Sequence, residues 1–275
     1  MTFAYKAYGN PAAGDGRYYL SKPVFMNDGE GPVRNVEISY HIPDYVEWTT
    51  PERYPEILPG QSVLDLFYPK FPQRVAELTS TTSATLEIRI AREESPGVRQ
   101  EEVVKRDINL RGVNEVEYTS LPPEEIVTWY DRNDNSQLLT SFVTTDDPVM
   151  KAFCGEITKF AGGTTAGAGG GIKEVQRLMQ AFYEYQVLTG LHYASSKGVP
   201  EEMGPVQSFV QNIRLPREVI LNNNGLCIEL ALLWSTVMEH LGVRTYLVLL
   251  PGHAFTIVVG DQGEWIPIEC TAIGG

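Results

Sequence analysis

The sequence has little to offer several large classes of function. It holds only three cysteines, Cys154, Cys227 and Cys270, and no Cys-x-x-Cys or His-x-x-x-His spacing. Zinc is therefore not expected, and no cofactor is called for. A disulfide framework is equally out of place at 275 residues. Basic residues are outnumbered, 22 Lys and Arg against 35 Asp and Glu, for a net charge of −13. That balance argues against nucleic acid, whose phosphates need clustered cations. No run of like charges stands out, so the acidity reads as a dispersed, solvated surface. Apolar runs long enough to span a bilayer are missing as well. The opening ten residues, from Met1 to Asn10, contain no apolar signal core. The expected location is cytoplasmic if the chain is whole, and extracytoplasmic if a leader has been trimmed from it.

What is present divides into two halves with different periods. From Arg34 to Ile42 the chain alternates, with Val36, Ile38, Tyr40 and Ile42 on one side and Asn35, Glu37, Ser39 and His41 on the other. A period of two marks a half-buried strand. Thr85–Ile90 alternates likewise, with Leu86, Ile88 and Ile90 on one side, and further strands are read at Ser62–Tyr68, at Val104, Ile108 and Leu110, and at Val116 with Tyr118. Pro43-Asp44, Pro59-Gly60 and Pro96-Gly97 punctuate the series. Short strands with regular turns imply an immunoglobulin-like β-sandwich over residues 1–135, with a partner protein as its possible ligand. His41 falls on the polar side of its strand and is read as an exposed surface residue.

The remainder, 136–275, reads as helix and then strand. Pro148–Phe160 and Ile172–Leu188 carry apolar residues at helical spacing. Between them, Ala161–Gly171 holds six glycines in eleven positions. A phosphate loop needs Gly-x-x-x-x-Gly-Lys-Ser/Thr or Gly-x-Gly-x-x-Gly, and Lys173 has no following hydroxyl residue. The stretch is read as a mobile loop rather than a nucleotide site. His192, just past the second helix, is read as structural.

The chemistry concentrates further on. Asn222-Asn-Asn-Gly-Leu-Cys227 forms a turn cluster leading into Ile228, Leu232, Val237 and Leu241, and Gly242 supplies a helix stop. Cys227 is thus expected at a helix start, where unpaired N–H groups favour a thiolate and can donate to an oxyanion. Pro251-Gly252 breaks an apolar strand, His253 opens the next, and Glu269 ends a third. A helix packed on that hairpin would bring nucleophile, base and orienting carboxylate together. Cys154 and Cys270 are read as inert core thiols, Arg214 and Glu218 as a helical i, i+4 pair, and Trp265 as a wall of the cleft.

Gly225-Leu-Cys227 opening a helix, Pro-Gly-His253 opening a strand and Trp265 before Glu269 resemble the core motifs of the transglutaminase-like superfamily. The resemblance runs from about Thr140 to Thr271, and Gln211–Glu218 resembles the segment that precedes the cysteine in bacterial members. It implies a papain-like domain whose Cys227 thiolate attacks the carbonyl of a protein or peptide amide, with Gln211 as an oxyanion donor. Members include cross-linkers, deamidases, peptidases and peptide N-glycan amidases. The third residue is usually Asp there, whereas Glu269 stands in this chain. The expectation is therefore an α+β protein with a Cys227–His253–Glu269 triad. The rival reading is a non-catalytic scaffold or peptide-binding module on the same fold.

Overall fold

A computed structural model of the chain describes residues 2–95, 97–163, 171–194 and 210–273. The chain is mixed α+β and divides into two compact units, Met1–Glu115 and Val116–Gly275. Most of the glycine-rich stretch lies outside the described residues.

The first unit opens with the short helix α1 (Tyr5–Tyr8) and continues through six strands: β1 (Val24–Met26), β2 (Val33–His41), β3 (Glu52–Ile57), β4 (Ser62–Leu64), β5 (Thr82–Ser95) and β6 (Val98–Leu110). Strands β3-β2-β5-β6 form an antiparallel sheet, and β1 pairs with β4 in a separate ribbon. The period of two in β2 sets the sides: Val36, Ile38, Tyr40 and Ile42 are all buried. Leu86 and Ile88 of β5 join them, and Phe67 and Val46 from connecting segments cover the cluster. Tyr40 stacks flat on Phe67, with ring centroids 4.5 Å apart, and donates its hydroxyl to Asp65 at 2.8 Å. His41 is not the exposed residue its polar side suggested. Its Nδ1 meets Glu87 at 2.9 Å and its ring stacks on Trp48.

The division falls within β7 (Glu115–Glu117), earlier than the Asn135 expected from the strand pattern. The reason is pairing. β7 joins no described strand of the first unit's sheets but pairs with β9 (Val210–Asn212). Asn135 is tied back to the same segment, its N–H to Tyr118 O and its amide to Glu117 O and Ser120 Oγ. Residues 116–135 thus belong to the second unit.

That unit is built around one buried helix. It contains α2 (Trp129–Arg132), α3 (Pro148–Phe160), α4 (Ile172–Thr189), β8 (His192–Tyr193), α5 (Pro216–Asn222), β10 (Asn224–Gly225) and α6 (Cys227–His240). It ends in the antiparallel sheet β11-β12-β13, formed by Thr245–Leu250, His253–Val259 and Trp265–Ile268. Every residue of α6 from Cys227 to Met238 is buried. A helix buried all round must be covered all round: α3 and α5 lie against it, Phe182 of α4 packs on its Trp234 with ring centroids 4.5 Å apart, and β11 and β12 pack on it as well. Thr256 Oγ1 of β12 donates to Ala231 O at 2.8 Å, which pins the strand to the helix one turn past Cys227. Among the described residues no helix is long and apolar enough to cross a membrane.

Candidate functional site

Cys227 is the first residue of α6, and the preceding chain explains why it sits there. Helix α5 ends at Asn222, and Asn223 takes the left-handed conformation (φ 53°), which asparagine tolerates. Asn224-Gly225 then runs as a short parallel strand against His192-Tyr193. A side chain at Gly225 would press on Leu230 Cδ2 at 3.0 Å and Val219 Cγ1 at 3.1 Å. Any larger residue two positions before the cysteine would need these neighbours to shift by a few tenths of an ångström, so close packing favours glycine there. Cys227 itself is 7% exposed.

A buried carboxylate fastens this helix start. Glu229 is 2% exposed and accepts from Leu226 N at 2.9 Å, Arg214 N at 2.9 Å and the Arg214 guanidinium, with Nη2 at 2.7 Å. The Arg214–Glu218 pair expected from i, i+4 spacing does not form as a salt bridge. Arg214 lies ahead of α5 and turns to Glu229, while Glu218 accepts from Leu215 N at 2.7 Å. Burial decides this, since a carboxylate inside the unit needs a cation and a fork of donors. The clamp holds the strand carrying Gln211 and the turn carrying Cys227 to a common point.

His253 and Glu269 are brought together at the other side of the site. Gly252 (φ 73°) makes the turn that starts β12, and His253 is its first residue. Its Nε2 lies 2.8 Å from Glu269 Oε2, just beyond the end of β13. Glu269 Oε1 accepts from both the backbone N–H and the hydroxyl of Thr271. Burial pushes the Glu269 carboxyl up, but the Thr271 hydrogen bonds and then His253 outweigh it and hold it below the ordinary range. An ionised carboxylate only accepts, so the ring donates to it through Nε2, which in a neutral imidazole makes Nδ1 the acceptor. The extra methylene of Glu, relative to Asp, does not prevent this contact.

The alternation of β12 places Ala254, Thr256 and Val258 in the core, with His253 and Phe255 out of register with them. Among the described residues Cys227 Sγ makes no hydrogen bond to the His253 ring. The helix that Cys227 opens does pack on the strand that His253 opens, through the Thr256–Ala231 hydrogen bond. Burial pushes the Cys270 thiol up to about 12; hydrogen bonds from Thr256 oppose this, and the charges of Glu269 and of a Cys227 thiolate add to it. Burial also pushes the Tyr118 hydroxyl up, with a Cys227 thiolate adding to the effect.

Tyr118 is the residue that sequence reasoning missed. Its hydroxyl donates to Gln211 Oε1 at 2.8 Å, across 93 positions of sequence. The only available signal was its place on a short alternating segment, which gave no partner. Trp265 is not beside the triad residues. It is 65% exposed and packs on Tyr246, with ring centroids 5.8 Å apart. It lies four positions before Glu269, about 13 Å of chain, and pairs with Val259, at the opposite end of β12 from His253. His192 is held by backbone contacts, its N–H to Asn223 O at 3.1 Å. Cys154 is buried in the α3–α4–α6 core, and burial alone pushes its thiol up to about 12. Among the described residues no cluster of His, Cys, Asp and Glu is suited to a metal ion. Comparison with family models, with curated proteins and with solved structures gives no match to this chain.

Proposed function

We propose that the second unit is a papain-like, transglutaminase-like domain that performs thiol-dependent acyl transfer or hydrolysis on a protein or peptide amide. Cys227 is the nucleophile. His253, through Nδ1, takes the thiol proton and returns it to the leaving amine. Glu269 holds the ring, and Gln211 donates to the oxyanion. The observation that carries this reading is the His253 Nε2–Glu269 Oε2 bond of 2.8 Å, at the end of the sheet on which the Cys227 helix packs. It supplies an oriented base where the resemblance calls for one. The first unit is proposed as an immunoglobulin-like sandwich, supported by its antiparallel sheet with one buried side. Its role would be to engage a partner protein.

The competing reading is a non-catalytic peptide-binding module. It is favoured by the lack of a hydrogen bond between the thiol and the ring. A casein substrate separates the two. Peptide cleavage, ammonia release and amine incorporation are followed for the native chain and for Cys227→Ala. Turnover lost in the variant supports the enzyme, and which product forms tells hydrolysis from cross-linking. Equal, background rates in both proteins would favour the binding module.

A further inference from the structure

The proposed oxyanion donor raises a problem of orientation. A glutamine amide offers an acceptor at Oε1 and donors at Nε2, and nothing intrinsic to the side chain decides which end faces a reacting atom. If Oε1 faced the oxyanion it would repel it. Here Oε1 is engaged: the Tyr118 hydroxyl donates to it at 2.8 Å. Among the described residues Nε2 has no partner and is the end left to donate. Tyr118 directly follows β7 and Gln211 lies in β9, its pairing partner, so strand pairing brings the two segments side by side.

We propose that Tyr118 is a positioning residue which fixes the Gln211 amide with its N–H groups presented to the oxyanion formed at Cys227. The inference rests on the acyl-transfer reading above and adds a residue to it. Two further observations support it. The Tyr118 hydroxyl is held neutral by burial, so it stays a donor over the whole working pH range. The strand that carries Gln211 is also tied to the start of the Cys227 helix: the N–H of Arg214, three residues past Gln211, and the N–H of Leu226, just before Cys227, both donate to Glu229 at 2.9 Å.

The chemistry provides a selective test. When the thiol attacks p-nitrophenyl acetate, its proton passes to His253 and an S–C bond forms. The carbonyl electron pair moves onto oxygen, and that oxyanion is what Gln211 would stabilise. Collapse expels p-nitrophenolate and leaves acetyl-Cys227. Alkylation by iodoacetamide also forms an S–C bond, with iodide leaving, but passes through no oxyanion. Acylation and alkylation of Cys227 are therefore measured side by side in the full chain.

Tyr118→Phe should slow acylation about tenfold, and Gln211→Ala by about a hundredfold, the usual cost of losing one oxyanion donor. Alkylation should change by less than about threefold in both. The double variant should be no slower than Gln211→Ala, because the two residues act as one unit. Gln211→Glu provides a variant that retains a group able to accept from Tyr118 yet offers no N–H. It should acylate as slowly as Gln211→Ala while its circular dichroism stays native. A Tyr118→Phe variant that acylates like the native chain, or loses both reactions equally, overturns the positioning role alone. If native Cys227 is alkylated but never acylated, the acyl-transfer reading fails and this inference fails with it.

Discussion

Replacing Arg214 by methionine removes the guanidinium while keeping a side chain of similar length, and isolates the clamp under the Cys227 helix. In the native chain Glu229 is 2% exposed and accepts from two backbone N–H groups and from Arg214 Nε and Nη2. Without the guanidinium a buried carboxylate would keep only the backbone donors. Breaking a buried pair on one side costs about 3–5 kcal/mol. The Arg214 side chain is 30% exposed, so water partly screens the pair and the lower end, about 3 kcal/mol, is expected. For a unit of this size each kcal/mol lowers Tm by about 2–4 °C. The melting transition of the second unit should thus fall by about 6–12 °C in differential scanning calorimetry. Because the pair is largely shielded, the difference should persist in 1 M NaCl. Glu229→Gln keeps an acceptor for the backbone and should lose less. A fall below about 2 °C for Arg214→Met would mean that Glu229 is solvated without its partner, and the buried-clamp argument would be refuted.

The same geometry sets two more outcomes. Burial pushes Cys154 and Cys270 up to about 12, so iodoacetamide at pH 7 should modify Cys227 alone, as peptide mapping by mass spectrometry would show. Glu269 titrates in the folded chain below its ordinary value of 4.5, so its contribution to stability is full above that value and is lost as pH falls through the folded one. The Tm difference between the native chain and Glu269→Gln should therefore be largest near pH 6 and shrink towards pH 3. A difference that grows on acidification would contradict the lowered carboxyl.

Much of this architecture can be read from spacing alone. The helices Pro148–Phe160 and Cys227–His240, and the start of β12 at His253, are legible in apolar periodicity and in Gly242 and Gly252 as breaks. Periodicity tells which side of an element is buried; it does not name the partner. Hence Val116 reads as one more strand of the first sheet, although its strand pairs with β9, nearly a hundred residues on. Arg214 reads as paired with Glu218, the nearest carboxylate in sequence, because a spacing rule knows nothing of the buried Glu229. His41 reads as exposed because Trp48 and Glu87, which enclose it, come from other segments. The Tyr118–Gln211 contact is hidden for the same reason. Of the candidate site, Cys227, His253, Glu269 and Gln211 are legible as motif residues, whereas most of the contacts that hold them join distant parts of the chain.

The central claim is that Cys227 is acylated with His253 as its base. Its most direct measurement is the rate at which p-nitrophenyl acetate forms acetyl-Cys227, followed by intact-protein mass spectrometry in the native chain and in His253→Ala. General-base assistance contributes about 10²–10⁴-fold, so the variant should be slower by at least a hundredfold at pH 7. Raising the pH should recover part of the rate, since hydroxide then ionises the thiol in place of the imidazole. Equal rates in the two proteins at pH 7 would show that the His253–Glu269 pair does not serve the thiol.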